Sequence, residues 1–132
     1  MLQLLHIENI AVIERADIEL EDGLTVLSGE TGAGKSIVID SIGAILGRRV
    51  SRDLVRAGAQ KGFVSAVFTD LSDGLIALLD ELALTGDEPD TLHLQRQITA
   101  DGKSTCRVNM KPVSVSVLRQ LAPYLIDIHG QN

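Results

Sequence analysis

Eight consecutive residues constrain this chain more than all the others: Gly29-Glu30-Thr31-Gly32-Ala33-Gly34-Lys35-Ser36. Three glycines within six positions let a backbone curl tightly enough for its N–H groups to converge on one point. The run before them, Leu24-Thr25-Val26-Leu27, is short and apolar, as expected of a buried strand. After them, Ile37, Val38, Ile42, Ala44, Ile45 and Leu46 fall at helical spacing and Gly47 marks a stop, so a helix is predicted from Lys35 to Leu46. Converging N–H groups at the positive end of a helix make a seat for an oxyanion.

The complete pattern, GxxxxGK[ST] between a strand and a helix, is the phosphate loop of P-loop NTPases, and its chemistry explains its spacing. Gly29, Gly32 and Gly34 bring the backbone close to the phosphates. Lys35 supplies a charge to the β- and γ-phosphates, and the Ser36 hydroxyl ligates magnesium between them. Thr31 and Ala33 complete the loop, while the Glu30 side chain is expected to point away from so anionic a ligand. Hydrolysis needs more: an acid holding magnesium at the end of another strand and a group that orients water. No run of four apolar residues followed by Asp-Glu occurs, and Asp127, inside the strand-like Tyr124-Leu125-Ile126-Asp127-Ile128, is a weak substitute. The catalytic machinery is therefore expected to be incomplete within these residues.

Elsewhere the pattern predicts hairpins. Leu2, Leu4, Ile7, Ile10 and Val12 alternate loosely, giving two strands joined near Asn9 to Val12, and Phe63 to Phe68 reads as another strand. Leu75 to Leu84 reads as a helix with Leu75, Leu78, Leu79 and Leu82 on one face, followed by a loop from Thr85 to Asp90. Leu92 to Ile98 and Ser104 to Met110 flank Asp101-Gly102, a hairpin signal. A helix around Val117 to Leu121 is expected to end at Pro123, before the strand from Tyr124 to Ile128. The fold class is α/β with a mixed parallel and antiparallel sheet.

At 132 residues and 45% hydrophobic composition, the chain can bury one core and is expected to be a single domain. With one Tyr, two Phe and no Trp, that core is aliphatic, and a single-strand binder working by base stacking is disfavoured. A net charge of −6 argues against a surface that coats nucleic acid, but Arg48, Arg49, Arg52, Arg56 and Lys61 supply five of the 12 basic residues. They form either a solvated loop or a contact for phosphate or a partner. Cys106 is alone, so no internal disulfide forms; it is read as packing, and His6 and His93 as structural. The start shows neither a leader nor a membrane span, so a cytoplasmic protein without a membrane partner is expected.

Several segments beyond the phosphate loop resemble one family. Leu4-Leu5-His6-Ile7-Glu8-Asn9-Ile10-Ala11-Val12-Ile13, Ile39-Asp40-Ser41-Ile42, Leu54-Val55-Arg56-Ala57-Gly58 and Ile126-Asp127-Ile128-His129-Gly130-Gln131 are similar to the ATPase head of the RecN family, SMC-like proteins of bacterial double-strand-break repair. Glu30-Thr31 together with His129-Gly130-Gln131 separates this family from other SMC-like heads. The resemblance covers nearly the whole chain and implies that residues 1–132 are the N-terminal lobe of an ABC/SMC-type head. It implies ATP and Mg2+ as cofactors, with Gln131 as the Q-loop residue reaching magnesium and the attacking water. It further implies partnership with a C-terminal lobe of the same head, a second head in a homodimer, and DNA in the full-length, nucleoid-associated protein. Basic residues after the first helix, here Arg48, Arg49, Arg52 or Arg56, approach nucleotide or DNA in related heads. The signature motif, Walker B acid and switch histidine belong to the C-terminal lobe, so this lobe alone is expected to be inactive. A nucleotide-binding module without hydrolysis, another SMC-like head and a transporter ATPase remain as alternatives. The last is disfavoured because no aromatic residue precedes Phe63 to stack on adenine.

Overall fold

The first hairpin forms where the alternating residues place it. Leu2–Ile10 (β1) and Ile13–Glu19 (β2) pair antiparallel across a two-residue turn, Ala11 and Val12. The computed structural model describes residues 1–19 and 32–126, apart from the side chains of residues 32–35 and 126. Its other strands are β3 (Lys61–Phe68), β4 (Leu92–Thr99), β5 (Ser104–Val108) and β6 (Lys111–Val113). Its helices are α1 (Gly32–Ile45), α2 (Asp73–Glu81) and α3 (Val115–Ile126).

The strands form one sheet in the order β2-β1-β3-β4-β5-β6, and every described pair is antiparallel. The parallel part expected of a mixed sheet rested on Leu24 to Leu27 and on the terminal strand; Leu24 to Leu27, Asp127 and Ile128 lie outside the described residues. Period-two alternation decides the faces. Along β4, Leu92, Leu94, Arg96 and Ile98 are buried, while His93, Gln95, Gln97 and Thr99 are half-buried. The register carries the buried set across the sheet as Ile7, Val64, Arg96 and Cys106 in one row and Leu5, Ala66, Leu94 and Val108 in the next. Val38, Ala44 and Ile45 of α1 and Leu118, Leu121 and Leu125 of α3 join this aliphatic core.

Turn chemistry sets the strand ends. The β4–β5 hairpin closes on Ala100-Asp101-Gly102: the Gly102 N–H donates to Thr99 O at 2.9 Å, and the Thr99 N–H donates to Lys103 O at 2.9 Å. Gly102, at φ +93°, takes the left-handed position this three-residue loop requires. Met110, expected in a strand, lies instead in a two-residue turn with Asn109, at φ 71° and 49° respectively. Asn109 holds the turn: its Nδ2–H donates to Leu84 O (2.7 Å), and its Oδ1 accepts from the His93 N–H (2.9 Å). The additional strand β6 forms the sheet edge, where Pro112 need not donate to a further ladder.

Two helix ends differ from expectation. The second helix, capped by Ser72 accepting from Leu75 N–H at 3.2 Å, stops at Glu81 rather than Leu84. Ala83 turns left-handed at φ 60°, and the Leu84 N–H closes on Leu79 O at 2.8 Å, which buries Leu84 without extending the helix. The third helix passes through Pro123, so Tyr124 to Ile126 belong to a helix and not to a strand. Proline inside a helix costs about 3 kcal/mol, since it removes one hydrogen bond and crowds the preceding turn. Leu118, Leu121, Ala122 and Leu125 recur at helical spacing and are all buried, and each leucine returns about 1.5–3 kcal/mol. Burial outweighs the breaker, with Pro123 itself on the exposed side.

Restoring an N–H at position 123 relieves that penalty without touching the core. Pro123→Ala is expected to raise stability by about 1–3 kcal/mol, read as a higher thermal midpoint; a lower midpoint would contradict a helix through this position.

Candidate nucleotide-phosphate site

The motif's second half is the beginning of α1, which opens at Gly32 and runs through Ser36 without a break. The first N–H groups of a helix have no intrahelical acceptors and carry its positive end. No acidic residue occupies the first turn, so nothing there competes with an anion, and Ser36 is exposed. These residues fit a triphosphate with its magnesium ion. Gly29, Glu30 and Thr31 lie outside the described residues, as does Gln131; Ala33 and Lys35 are placed by their backbone in the first turn.

The opposite end of α1 is held by residues from far along the chain. Gly47, at φ +90°, ends the helix as expected: its N–H donates to Ala44 O (3.1 Å) and the Arg48 N–H to Gly43 O (3.0 Å). No basic residue of α1 lies in its last turn. The charge that complements the negative helix end comes instead from Arg96 of β4, 4% exposed, whose Nη1–H donates to Ala44 O (2.8 Å) and Arg48 O (2.7 Å). Its Nε–H donates to Ser104 Oγ (3.1 Å). Burial lowers its pKa from the ordinary value, yet a guanidinium stays charged in proteins. Arg119 of α3 donates from Nε to Gly47 O at 3.0 Å. A β-carbon on Gly47 would stand 2.7 Å from Arg119 Cγ and 2.9 Å from its backbone nitrogen, so glycine is needed for contact as well as for conformation.

Sequence reasoning missed both arginines. A signal existed for Arg96, which falls in the apolar phase of Leu92, Leu94 and Ile98, where a charge needs a dedicated partner. None existed for Arg119, an exposed helical residue whose acceptor is 72 positions away.

Among the clustered basic residues, position separates the candidates. A 14-residue helix is about 20 Å long, so Arg48 and Arg49 stand too far from the motif end to reach phosphates there. They line a cleft of about 340 Å³ with Gly47, Arg119 and Pro123. They also line, with Ser51, Asp53 and Leu54 of the returning chain, a cleft of about 520 Å³ against Ile39, Asp40 and Gly43, halfway along α1. Backbone bonds pin this returning segment to the first hairpin, from the Ala11 N–H to Leu54 O (2.7 Å) and from the Arg56 N–H to Asn9 O (2.8 Å). Arg56 is thereby held beside the β1–β2 turn, and Arg52 lies beside the β4–β5 hairpin at Gly102.

On the outer face of the sheet, His6 sits between Asp17 (Nδ1 to Oδ1, 2.5 Å) and Glu8 (Nε2 to Oε2, 2.6 Å), with the Phe63 ring edge-on at 6.1 Å. His93 meets Ser65 Oγ at 3.0 Å, and burial lowers its pKa. Both histidines therefore serve the sheet, as expected. Cys106 is buried beside Arg96, and burial pushes its thiol pKa up, in keeping with packing.

A helix that opens inside the GxxxxGK[ST] motif and lies on an antiparallel sheet is the framework that comparison with known proteins also finds. The family profile described as an AAA domain matches residues 4–107, and the chain belongs to that family. Over its whole length it is similar to the DNA repair protein RecN: 41% identical to that of Halalkalibacterium halodurans and 44% to that of Vibrio cholerae. It spans 23% and 24% of those relatives, so it corresponds to about a quarter of their length. The SMC head domain from Thermotoga maritima superposes with a TM-score of 0.62 at 21% identity, covering 90% of this chain and 41% of that one. An SMC ATPase described for ATP-driven dimerization and DNA-stimulated activation gives 0.72 at 21%, covering 95% and 79%. The recombination mediator RecF gives 0.67 at 15%, covering 89% and 29%. The fold is that of the SMC-type head lobe.

The His6 cluster gives the sheet a pH signature. Hydrogen bonding to Glu8, then to Asp17, raises the His6 pKa from 6.5 against an opposing desolvation effect. A raised folded value stabilises below the unfolded pKa, and that contribution is lost as pH rises through the folded value. The thermal midpoint is expected to fall between about pH 6 and 8 for this reason, and His6→Gln to flatten that part of the profile; an equal slope in the variant would assign the effect elsewhere.

Proposed function

We propose that this chain is the ATP- and magnesium-binding N-terminal lobe of an SMC-like ATPase head that acts in DNA double-strand-break repair and recombination. The observation that carries the reading is a complete phosphate-loop motif whose second half opens α1 on a sheet of SMC-head fold. The match of the entire chain to RecN supports the repair assignment. When ATP and Mg2+ are bound, they supply the phosphoanhydride to be cleaved and neutralise the charge on its oxygens.

The chain's own residues then bind and orient. Gly29, Glu30, Thr31, Gly32, Ala33 and Gly34 wrap the phosphates with backbone N–H groups, Lys35 pairs with the β- and γ-phosphates, and Ser36 ligates magnesium. Gln131 reaches the same ion and positions water. One of Arg48, Arg49, Arg52 and Arg56 approaches the nucleotide or DNA. Residues 1–132 form a single lobe; the acid that completes hydrolysis comes from a C-terminal lobe, and the signature motif from a second head in a homodimer. The full-length protein is a cytoplasmic, nucleoid-associated DNA-binding protein.

Lys35→Ala is expected to abolish binding of magnesium-ATP while leaving the thermal midpoint unchanged. A folded variant with unaltered affinity would remove the central assignment. Turnover is expected when the lobe is combined with the remainder of the head and absent from the lobe alone; hydrolysis by the 132 residues by themselves would place a catalytic acid among them.

A further inference from the structure

The P-loop helix must be held at its far end for its near end to meet a phosphate in one position. A helix is a stiff rod, so a shift or rotation at its C-terminus is transmitted along its length to the first turn. Its last carbonyl oxygens need donors, and α1 brings no basic side chain of its own to that turn. Two guanidinium groups from two different elements bond to carbonyls at the helix end and just beyond it. Arg96 projects from the middle of the sheet and takes both Ala44 O and Arg48 O with one nitrogen, while Ser104 fixes its Nε. Arg119 reaches from α3 to Gly47 O, at a contact so close that no side chain fits on Gly47. The third helix ends at Ile126, five residues before Gln131.

We propose that Arg96 and Arg119 are positioning residues of the nucleotide site: Arg96 locks the end of the P-loop helix to the sheet, and Arg119 locks it to α3. This rests on the nucleotide-binding role proposed above. Through Gly47, Arg119 joins the end of α1 to α3, a joint closed further by the contact of Gly47 with Leu118. Pro123 lacks the N–H that would bond to Arg119 O, and α3 is therefore weakest one turn beyond this joint.

The test uses the intact protein and the equilibrium affinity for magnesium-ATP at a temperature well below unfolding, together with ATPase kcat and KM. Arg119→Met is expected to remain folded at that temperature and, through the less firmly placed helix, to bind ATP about tenfold more weakly. Arg119→Lys, which keeps a donor within reach of Gly47 O, is expected to recover most of that affinity. Arg96→Lys keeps the charge but cannot span two carbonyls and a hydroxyl in the same geometry, and is expected to weaken binding in folded protein. A purely structural role lowers the midpoint and leaves the affinity of folded molecules alone; that result, or wild-type affinity in Arg119→Met, would overturn the proposal. Failure of the wild-type protein to bind ATP would instead sink the nucleotide-site assignment, and this inference with it.

Discussion

A full positive charge lies in the apolar face of the sheet, and much of the architecture follows from what Arg96 needs there. An unpaired charge cannot remain in such a place, so the surrounding structure must bring acceptors to it. The acceptors are the Ala44 carbonyl in the last turn of α1 and the Arg48 carbonyl just beyond it. A purely aliphatic contact would let the helix slide along the sheet with little change in energy, because dispersion and hydrophobic burial are non-directional. Directed bonds to one carbonyl in the last turn and one just beyond it hold the depth and the rotation of the helix end. The phosphate loop, at the other end of the same rod, inherits that placement.

Around this anchor the sheet is arranged to be covered on one side and self-supporting on the other. Leu, Ile, Val and Ala fill the inner face beneath α1 and α3, which is how a core almost without aromatic rings reaches adequate packing. The outer face is polar but well ordered, with His6 bridging β1 and β2 through Asp17, and Ser65 and His93 bridging β3 and β4. At one margin, the short β6 with Lys111 and Pro112 presents little that another strand could extend.

Much of this was legible in the sequence where the deciding interactions are local. The first hairpin, α1 with its glycine stop, β3, and the Asp101-Gly102 hairpin depend on alternation, spacing and turn residues, all visible within a few positions. Pro123 misled because a local penalty was set against burial of Leu121 and Leu125, which depends on a sheet formed elsewhere. Met110 misled because the turn it occupies is held by Asn109 bonding to Leu84 and His93, partners on other elements. For the site the division is similar. The motif gives the phosphate contacts directly, but the residues that seat its helix, Arg96 and Arg119, lie 52 and 72 positions from their acceptors Ala44 and Gly47.

The order of strands carries a consequence for how the lobe assembles. From β4 onward, each described strand pairs with the one made just before it, β4 across the connection that carries α2 and β5 and β6 across short turns, and each adds to an edge already in place. The exception is the pairing of β1 with β3, which encloses β2, the phosphate loop and α1 in a single excursion of the chain. That closure is the slow entropic step, and the segment it brings back is the one carrying the nucleotide motif. In a chain made from its N-terminus, the functional loop is therefore gathered in when β3 emerges, and β4, β5 and β6 follow as a meander that seals it.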